Sequence, residues 1–215
     1  LIVFVCSHNF AASSRNISWK FKSPIIKNYS PDVYHGKGQV WGIVQDKRGI
    51  MYFSNGNNGL LEYDGVNWKK IRLRKSQTVR SLGINDEGVV FVGSIGDFGY
   101  LKVINGQTRY FSLMAHIPIK ERVFNDIWQV VTLKNSVFFR SQKTIFRWKN
   151  GKIKIFKAET RFYTTAVVNN NLYILQRRKG LMTISGDKLV PIKSSQKIIK
   201  EKTKVLTLLY GKGRF

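Results

Sequence analysis

The sequence predicts an all-β fold, a β-propeller fragment with four four-stranded antiparallel blades and part of a fifth in an incomplete ring. Three observations predict it. An apolar run recurs along the chain at spacings of 39, 48, 35 and 43 residues. In the first four copies a polar turn and a second apolar run follow it. Each of these copies then contains a dipeptide typical of hairpins. Repeats of about forty residues with these features are typical of propeller blades.

The copies begin at regular anchor positions, which define the expected domain organisation. The blades are predicted to start near residues 40, 79, 127, 162 and 205, and the last is truncated. In the first four copies the second apolar run begins ten residues after the anchor, at 50, 89, 137 and 172. Loop insertions on a surface vary freely, so unequal spacing fits a sheet repeat better than a two-helix repeat.

A hairpin signal in the second half of each copy completes the unit. The dipeptides are Asp64-Gly65, Asn105-Gly106, Asn150-Gly151 and Ser185-Gly186. Asn-Gly and Asp-Gly supply the positive φ angles that a two-residue hairpin needs. The unit is therefore strand, turn, strand, loop, strand, hairpin, strand. A sheet of this size cannot cover its own two faces, so it must stack on its neighbours.

The N-terminal residues before the first blade give two further expectations. Residues 1–14 begin with an apolar run followed by small residues, which predicts the remnant of a secretory signal peptide, with a first β-strand as the alternative. Residues 15–39 are expected to hold outer strands of a ring-closing blade, and the chain is expected to continue beyond Phe215. Cys6 is the only cysteine, which argues against a disulfide framework and a cysteine-rich metal site.

The charge is strongly basic, with 37 Lys and Arg against 12 Asp and Glu, a net charge of +25. These cations are spread over almost every segment and often alternate with apolar residues, as in Lys152-Ile153-Lys154-Ile155. Such alternation is typical of the solvated face of a strand, whereas a nucleic-acid binder usually concentrates its charge on one element. We therefore predict no direct nucleic-acid binding by this region.

Whole phrases of the first two blades resemble a known family. They are GLLEYDGVNW at 59–68, TVRSL at 78–82 and GSIGDFGYL at 93–101, and they are similar to the two-component regulator propeller family. The resemblance covers about residues 38–215 and weakens over the third and fourth blades. It is greatest to Bacteroidetes-type sensors in which the propeller precedes a triple-tyrosine domain, a membrane helix and a histidine kinase or LuxR-type output. The resemblance implies a periplasmic sensor, with triple-tyrosine and output domains in the same full-length chain, and a homodimer.

The sequence contains little that is typical of a catalytic or metal-binding site. His8, His35 and His116 are scattered without metal-ligand spacing, and most of the acids fall beside turns, where they cap amides. The glycine-rich stretch 93–99 lies between two strands rather than before a helix, which argues against a phosphate loop. We predict no catalytic residue, no metal and no cofactor.

A ligand site is predicted from blade topology. The loop between the second and third strands of a blade opens on the same face as the start of each inner strand. The candidate ligand-binding residues on that face are Trp41, Asn57, Arg80, Asp97, Trp128, Tyr163 and Arg177. Aromatic rings beside cations and amides suit a sugar or an acidic polymer, whereas packing between blades is the alternative role for the aromatics.

The leading hypothesis is a non-catalytic, ligand-sensing propeller of a membrane-anchored regulator, with a small molecule or oligosaccharide as its stimulus. Two alternatives stay open at this stage. One is a propeller enzyme acting on acidic polysaccharide. The other is a scaffold that binds polyanions or proteins through its positive charge.

Overall fold

The computed structural model describes residues 26–36, 38–74 and 78–193, together with the backbone of residues 2–3. A short strand, β1 (Ile2–Val3), pairs antiparallel with β2 (Lys27–Asn28), and a four-residue helix, α1 (Pro31–Tyr34), follows. The rest of the predicted signal-peptide remnant at 1–14 and the predicted fifth blade at 205 lie outside the described residues. The ring-closing role expected for residues 15–39 stays a prediction.

The prediction of an all-β fold built from four-stranded antiparallel sheets is confirmed. Four such sheets follow one another along the chain, and we call them blades 1 to 4. Blade 1 contains β3 (Val40–Gln45), β4 (Met51–Asn55), β5 (Gly59–Tyr63) and β6 (Trp68–Ile71). Blade 2 contains β7 (Val79–Ile84), β8 (Val90–Ser94), β9 (Phe98–Ile104) and β10 (Gln107–Ser112). Blade 3 contains β11 (Gln129–Leu133), β12 (Ser136–Arg140), β13 (Thr144–Lys149) and β14 (Lys152–Lys157). Blade 4 contains β15 (Phe162–Val168), β16 (Asn171–Gln176), β17 (Gly180–Ser185) and β18 (Lys188–Pro191).

The hairpin dipeptides act as predicted in two blades and differently in the first and the fourth. In blade 4, Ser185 pairs with Lys188, so the two-residue turn consists of Gly186 and Asp187. Asn105-Gly106 has φ angles of 50° and 73°, and Asn150-Gly151 has 49° and 73°, which is the left-handed pair that a two-residue hairpin requires. In blade 1 the loop is four residues long, because β5 ends at Tyr63 and β6 begins at Trp68. Asp64 explains the difference, since its Oδ1 accepts from the N–H groups of Val66 (2.9 Å) and Asn67 (2.6 Å).

The hydrophobic core lies in layers between neighbouring blades. Between blades 2 and 3 the rings of Phe98 and Phe139, both 0% exposed, stack with centroids 4.4 Å apart. Burial of one such side chain stabilises the fold by about 1.5–3 kcal/mol. Similar layers join blade 1 to blade 2 and blade 3 to blade 4. Each blade therefore covers the face that its neighbour cannot cover alone.

The first strand of each blade is the innermost one. The strands β3, β7, β11 and β15 contact one another in that order, which places the blades side by side around one axis. Glycines permit the closest approach between the second and third blades. A Cβ on Gly93 would lie 2.5 Å from Ile127 Cγ2, and one on Gly83 would lie 2.7 Å from Val130 Cγ1. Larger residues would separate the inner strands at these points.

Candidate ligand-binding site

Three of the four inner strands have one residue near their start that interrupts the strand pairing. In blade 1, Val40 pairs with Asn55 and Gly42 with Ser54, so Trp41 has no opposite residue. The same register shift occurs at Arg80 and at Tyr163. A β-bulge of this kind bends the strand and changes the direction of a side chain, and bulges are common beside binding sites.

Blade 3 places Trp128 at the corresponding position. Its N–H donates to Arg140 O at 2.8 Å, while the next residue, Gln129, is the one that pairs with Arg140 in the sheet. Four predicted site residues therefore share one structural position at the start of an inner strand, Trp41, Arg80, Trp128 and Tyr163.

Three of these four residues are in direct contact. The guanidinium carbon of Arg80 lies 4.9 Å from the ring centroid of Trp41 and 5.2 Å from that of Trp128. The two indole centroids are 6.3 Å apart, edge to face. Each cation–π contact contributes about 0.5–2 kcal/mol, depending on how far water is excluded. We call this group, Trp41, Arg80 and Trp128, the bulge stack.

An acid that sequence reasoning missed completes the bulge stack. Asp126 Oδ1 accepts from Arg80 Nε at 2.6 Å, and the two side chains are 18% and 21% exposed. This partly buried ion pair fixes the guanidinium over the indoles and neutralises its charge. Trp41 is 42% exposed, so the stack offers a rigid aromatic surface to solvent.

The remaining predicted site residues differ in their surroundings. Asn57 is exposed in the β4–β5 turn. This turn lies against the stack, because a Cβ on the preceding Gly56 would be 3.3 Å from Trp41 Nε1. Arg177 is exposed in the β16–β17 turn, and its N–H donates to Arg161 O at 2.8 Å. Both turns therefore lie beside the starts of inner strands, as the topology predicts.

Asp97 is not presented on that face. It is 1% exposed, and its Oδ1 accepts a hydrogen bond from Ser112 Oγ at 2.6 Å. Burial, together with the charge of Asp97, raises the pKa of the neighbouring Tyr110. The structure therefore gives Asp97 a supporting role inside blade 2.

A cleft of about 460 Å³ separates the inner parts of blades 3 and 4 on the same face. Trp128 belongs both to its wall and to the bulge stack. The cleft is lined by Trp128, Gln129, Arg140, Gln142, Arg161, Phe162, Tyr163 and Thr164. The bulge stack and this cleft form one continuous surface.

Gln129 connects the two blades at the bottom of the cleft. Its Oε1 accepts from Arg140 Nε at 2.8 Å and from the N–H of Thr165, in blade 4, at 2.8 Å. Sequence reasoning missed Gln129, Arg140 and Arg161. One feature of the sequence could have indicated them. The charged residue Arg140 directly follows the apolar run 137–139, which forms a buried strand.

In the described part of the chain, no three His, Cys, Asp or Glu residues lie close enough together to hold a metal ion. None of the helices within 26–36, 38–74 and 78–193 has the length and apolar character to cross a membrane.

No family model matches the chain, and no curated protein matches it. Several solved structures are similar to it. The WD40 β-propeller domain of Doa1 is similar over 72% of this chain, at 13% identity and a TM-score of 0.53. The extracellular domain of the one component system BT4673 from B. thetaiotaomicron is similar over 71%, at 16% identity and a TM-score of 0.51. YCF48 bound to D1 peptide is similar over 83%, at 13% identity and a TM-score of 0.52.

These similarities place the chain among the β-propellers. The chain spans 54%, 21% and 60% of the length of those three structures, respectively. The class of protein is therefore defined by the fold, and its function has to be argued from the site.

Proposed function

We propose that this chain is the ligand-sensing β-propeller of an extracytoplasmic signal-transduction regulator of the two-component type. It binds its ligand on the face that carries the bulge stack and catalyses no reaction itself. The observation that carries this proposal is the stack of Trp41, Arg80 and Trp128. Three residues, one from each of three successive blades, form a rigid, partly exposed aromatic surface there.

The architecture of the face favours binding over packing for this group. Aromatic side chains that serve only to join blades are buried between sheets, as Phe98 and Phe139 are. Trp41 is 42% exposed instead, although an indole is costly to leave in water. A flat apolar surface beside amide and guanidinium donors suits the face of a sugar ring, so an oligosaccharide is the proposed stimulus.

The regulatory context rests on the sequence phrases at 59–68, 78–82 and 93–101, which resemble the two-component regulator propellers. It is also in line with one similar structure being an extracellular domain of a one component system. By this proposal the full-length protein is membrane-anchored and periplasmic on its sensing side. It carries triple-tyrosine and output domains and works as a homodimer.

Binding is tested by titrating the full chain with neutral and acidic oligosaccharides while following tryptophan fluorescence and heat release. We expect saturable binding to at least one of them, with a fluorescence change. Arg80→Gln removes the cation between the two indoles and is expected to weaken that binding about tenfold. Arg109→Gln, on the exposed outer strand β10, is the matched control and should leave the affinity unchanged.

Two results would contradict the proposal. One is the absence of saturable binding across the panel. The other is equal affinity for the Arg80→Gln variant and the unmodified chain. Release of cleaved product from a uronate polymer in the same samples would favour the propeller enzyme instead. Weak, salt-sensitive binding to every polyanion alike would favour a scaffold.

A further inference from the structure

The cleft between blades 3 and 4 is positively charged and contains no acid in its lining. Arg140 and Arg161 both line it, and none of the other lining residues is Asp or Glu. Neither arginine forms an ion pair with any residue in the described part of the chain. Two guanidinium groups therefore line one cleft without a counter-ion among the described residues.

Arg140 is held in place by neutral groups only. It is 5% exposed, and it donates from Nε to Gln129 Oε1 at 2.8 Å and from Nη1 to Phe162 O at 3.4 Å. Burial lowers the pKa of Arg140 to about 10, and no carboxylate within residues 26–36, 38–74 and 78–193 raises it again. A buried charge without a partner is costly, and in proteins such charges are usually paired.

Arg161 is oriented in a similar way by an aromatic ring. Its guanidinium carbon lies 5.0 Å from the ring centroid of Tyr163, and its Nη2 donates to the Tyr163 hydroxyl at 3.4 Å. Its Nε is buried and has no hydrogen-bond partner among the described residues. The Arg161 side chain is therefore held in one orientation, but only some of its hydrogen-bond donors have partners among the described residues.

The neighbouring bulge stack shows what a satisfied arginine looks like on the same face. Arg80 also lies over aromatic rings, but its charge is neutralised by Asp126 at 2.6 Å. The two arrangements differ in one respect, since the stack contains its own carboxylate and the cleft contains none. A bound carboxylate would complete the cleft in the same way.

We propose that this cleft is the carboxylate-binding subsite of the sensing face, with Arg140 and Arg161 as its anion donors. Trp128 and Tyr163, both half-buried, provide flat walls on either side. The ligand is thus an acid whose carboxylate is attached to a ring with an apolar face, either a uronic acid or an aryl carboxylate. This inference rests on the proposed function and specifies the ligand class.

The test uses three probes on the full chain, a uronate trisaccharide, its methyl ester and phenylacetate. The ester keeps the sugar rings and removes the charge. We expect the acid to bind at least about tenfold more tightly than the ester, because charge-assisted hydrogen bonds are roughly twice as strong as neutral ones. Binding of phenylacetate, or its absence, distinguishes aryl acids from sugar acids as the source of the carboxylate.

Gln129→Glu is the sharpest variant, because it preserves the shape of the side chain and its acceptor for Arg140. It adds a built-in carboxylate to the cleft. The unfolding free energy should change little, because the added ion pair with Arg140 offsets the bond that Gln129 Nε2 donates to Thr165 O at 3.4 Å. Affinity for the acid should fall at least about tenfold more than affinity for the ester. Arg161→Gln should also weaken acid binding, and Arg109→Gln should not.

The possible outcomes distinguish the carboxylate subsite from the sensing function on which it rests. Equal binding of acid and ester would overturn the carboxylate subsite and leave the sensing function standing. Acid-selective binding that Gln129→Glu and Arg161→Gln leave unchanged would place the subsite elsewhere and overturn the assignment to this cleft. Failure of all three probes and of the neutral panel would overturn both.

Discussion

Replacing Gln129 with Leu tests the connection between blades 3 and 4. One amide oxygen, Gln129 Oε1, accepts from Arg140 Nε and from Thr165 N–H, both at 2.8 Å. Arg140 and Thr165 are 5% and 4% exposed, so water cannot readily replace the lost acceptor. Leaving one buried donor unsatisfied costs about 1–3 kcal/mol, and these two are the closest donors to the oxygen, one of them charged. The hydroxyls of Thr165 and Thr164 also donate to it, at 3.1 and 3.3 Å, and can rotate to other acceptors.

The expected loss in unfolding free energy is therefore roughly 2–5 kcal/mol, a large share of the ~5–15 kcal/mol of a typical domain. Urea unfolding followed by tryptophan fluorescence measures it as a lower midpoint at unchanged slope. Gln107→Leu is the matched control, because Gln107 is exposed on the outer strand β10, and it should change stability by less than about 0.5 kcal/mol. A loss below about 1 kcal/mol for Gln129→Leu would refute the assignment of this amide as the link between the blades.

Three further predictions follow from the packing and the titrating groups. Phe139→Ala removes a fully buried ring from the layer between blades 2 and 3 and should cost about 3–5 kcal/mol in urea unfolding, whereas a cost under about 1 kcal/mol would contradict this packing. Gly93→Ala would bring a Cβ within 2.5 Å of Ile127 Cγ2 and should lower stability by about 1–3 kcal/mol, and a neutral effect would show that β8 and the start of blade 3 are not so close. Burial raises the pKa of Tyr52 to about 12, so folding favours its neutral form, and stability should fall as pH rises from about 10 towards 12. Absorbance titration of the folded chain should show several tyrosines that ionise late, since the pKa values of Tyr63 and Tyr110 are raised as well, and Tyr52→Phe should remove one of them. Ionisation of Tyr52 at its ordinary pKa would contradict the burial.

The fold could be predicted from the sequence because its signals are local. The recurring anchors and hairpin dipeptides require no knowledge of distant contacts, and Asn105-Gly106 adopts the expected backbone angles. The loop after Tyr63 could not be predicted as well. There the Asp64 carboxylate bonds two following amides and stabilises four loop residues instead of two.

The site could be predicted only in outline. Shared register was enough to bring Trp41, Arg80 and Trp128 to one face, because each lies at the same point near the start of an inner strand, with a bulge at Trp41 and at Arg80. Their partners could not be predicted. Arg80 and Asp126 are 46 residues apart in sequence, and the pair is set by how two blades pack.

The burial of individual side chains could not be predicted from the sequence either. Asp97 lies in a turn whose pattern suggests exposure, yet its carboxylate is 1% exposed and accepts from Ser112. Arg140 ends an apolar strand and is drawn into the cleft by acceptors on Gln129 and Phe162. Such outcomes depend on tertiary neighbours rather than on local propensity.

The most direct test of the account is a crystal structure of the chain with the tightest ligand from the titrations. The account predicts that this ligand lies against the rings of Trp41 or Trp128, with any carboxylate bonded to Arg140 or Arg161 in the adjoining cleft. A ligand bound instead on the outer strands, away from the starts of β3, β7, β11 and β15, would contradict it.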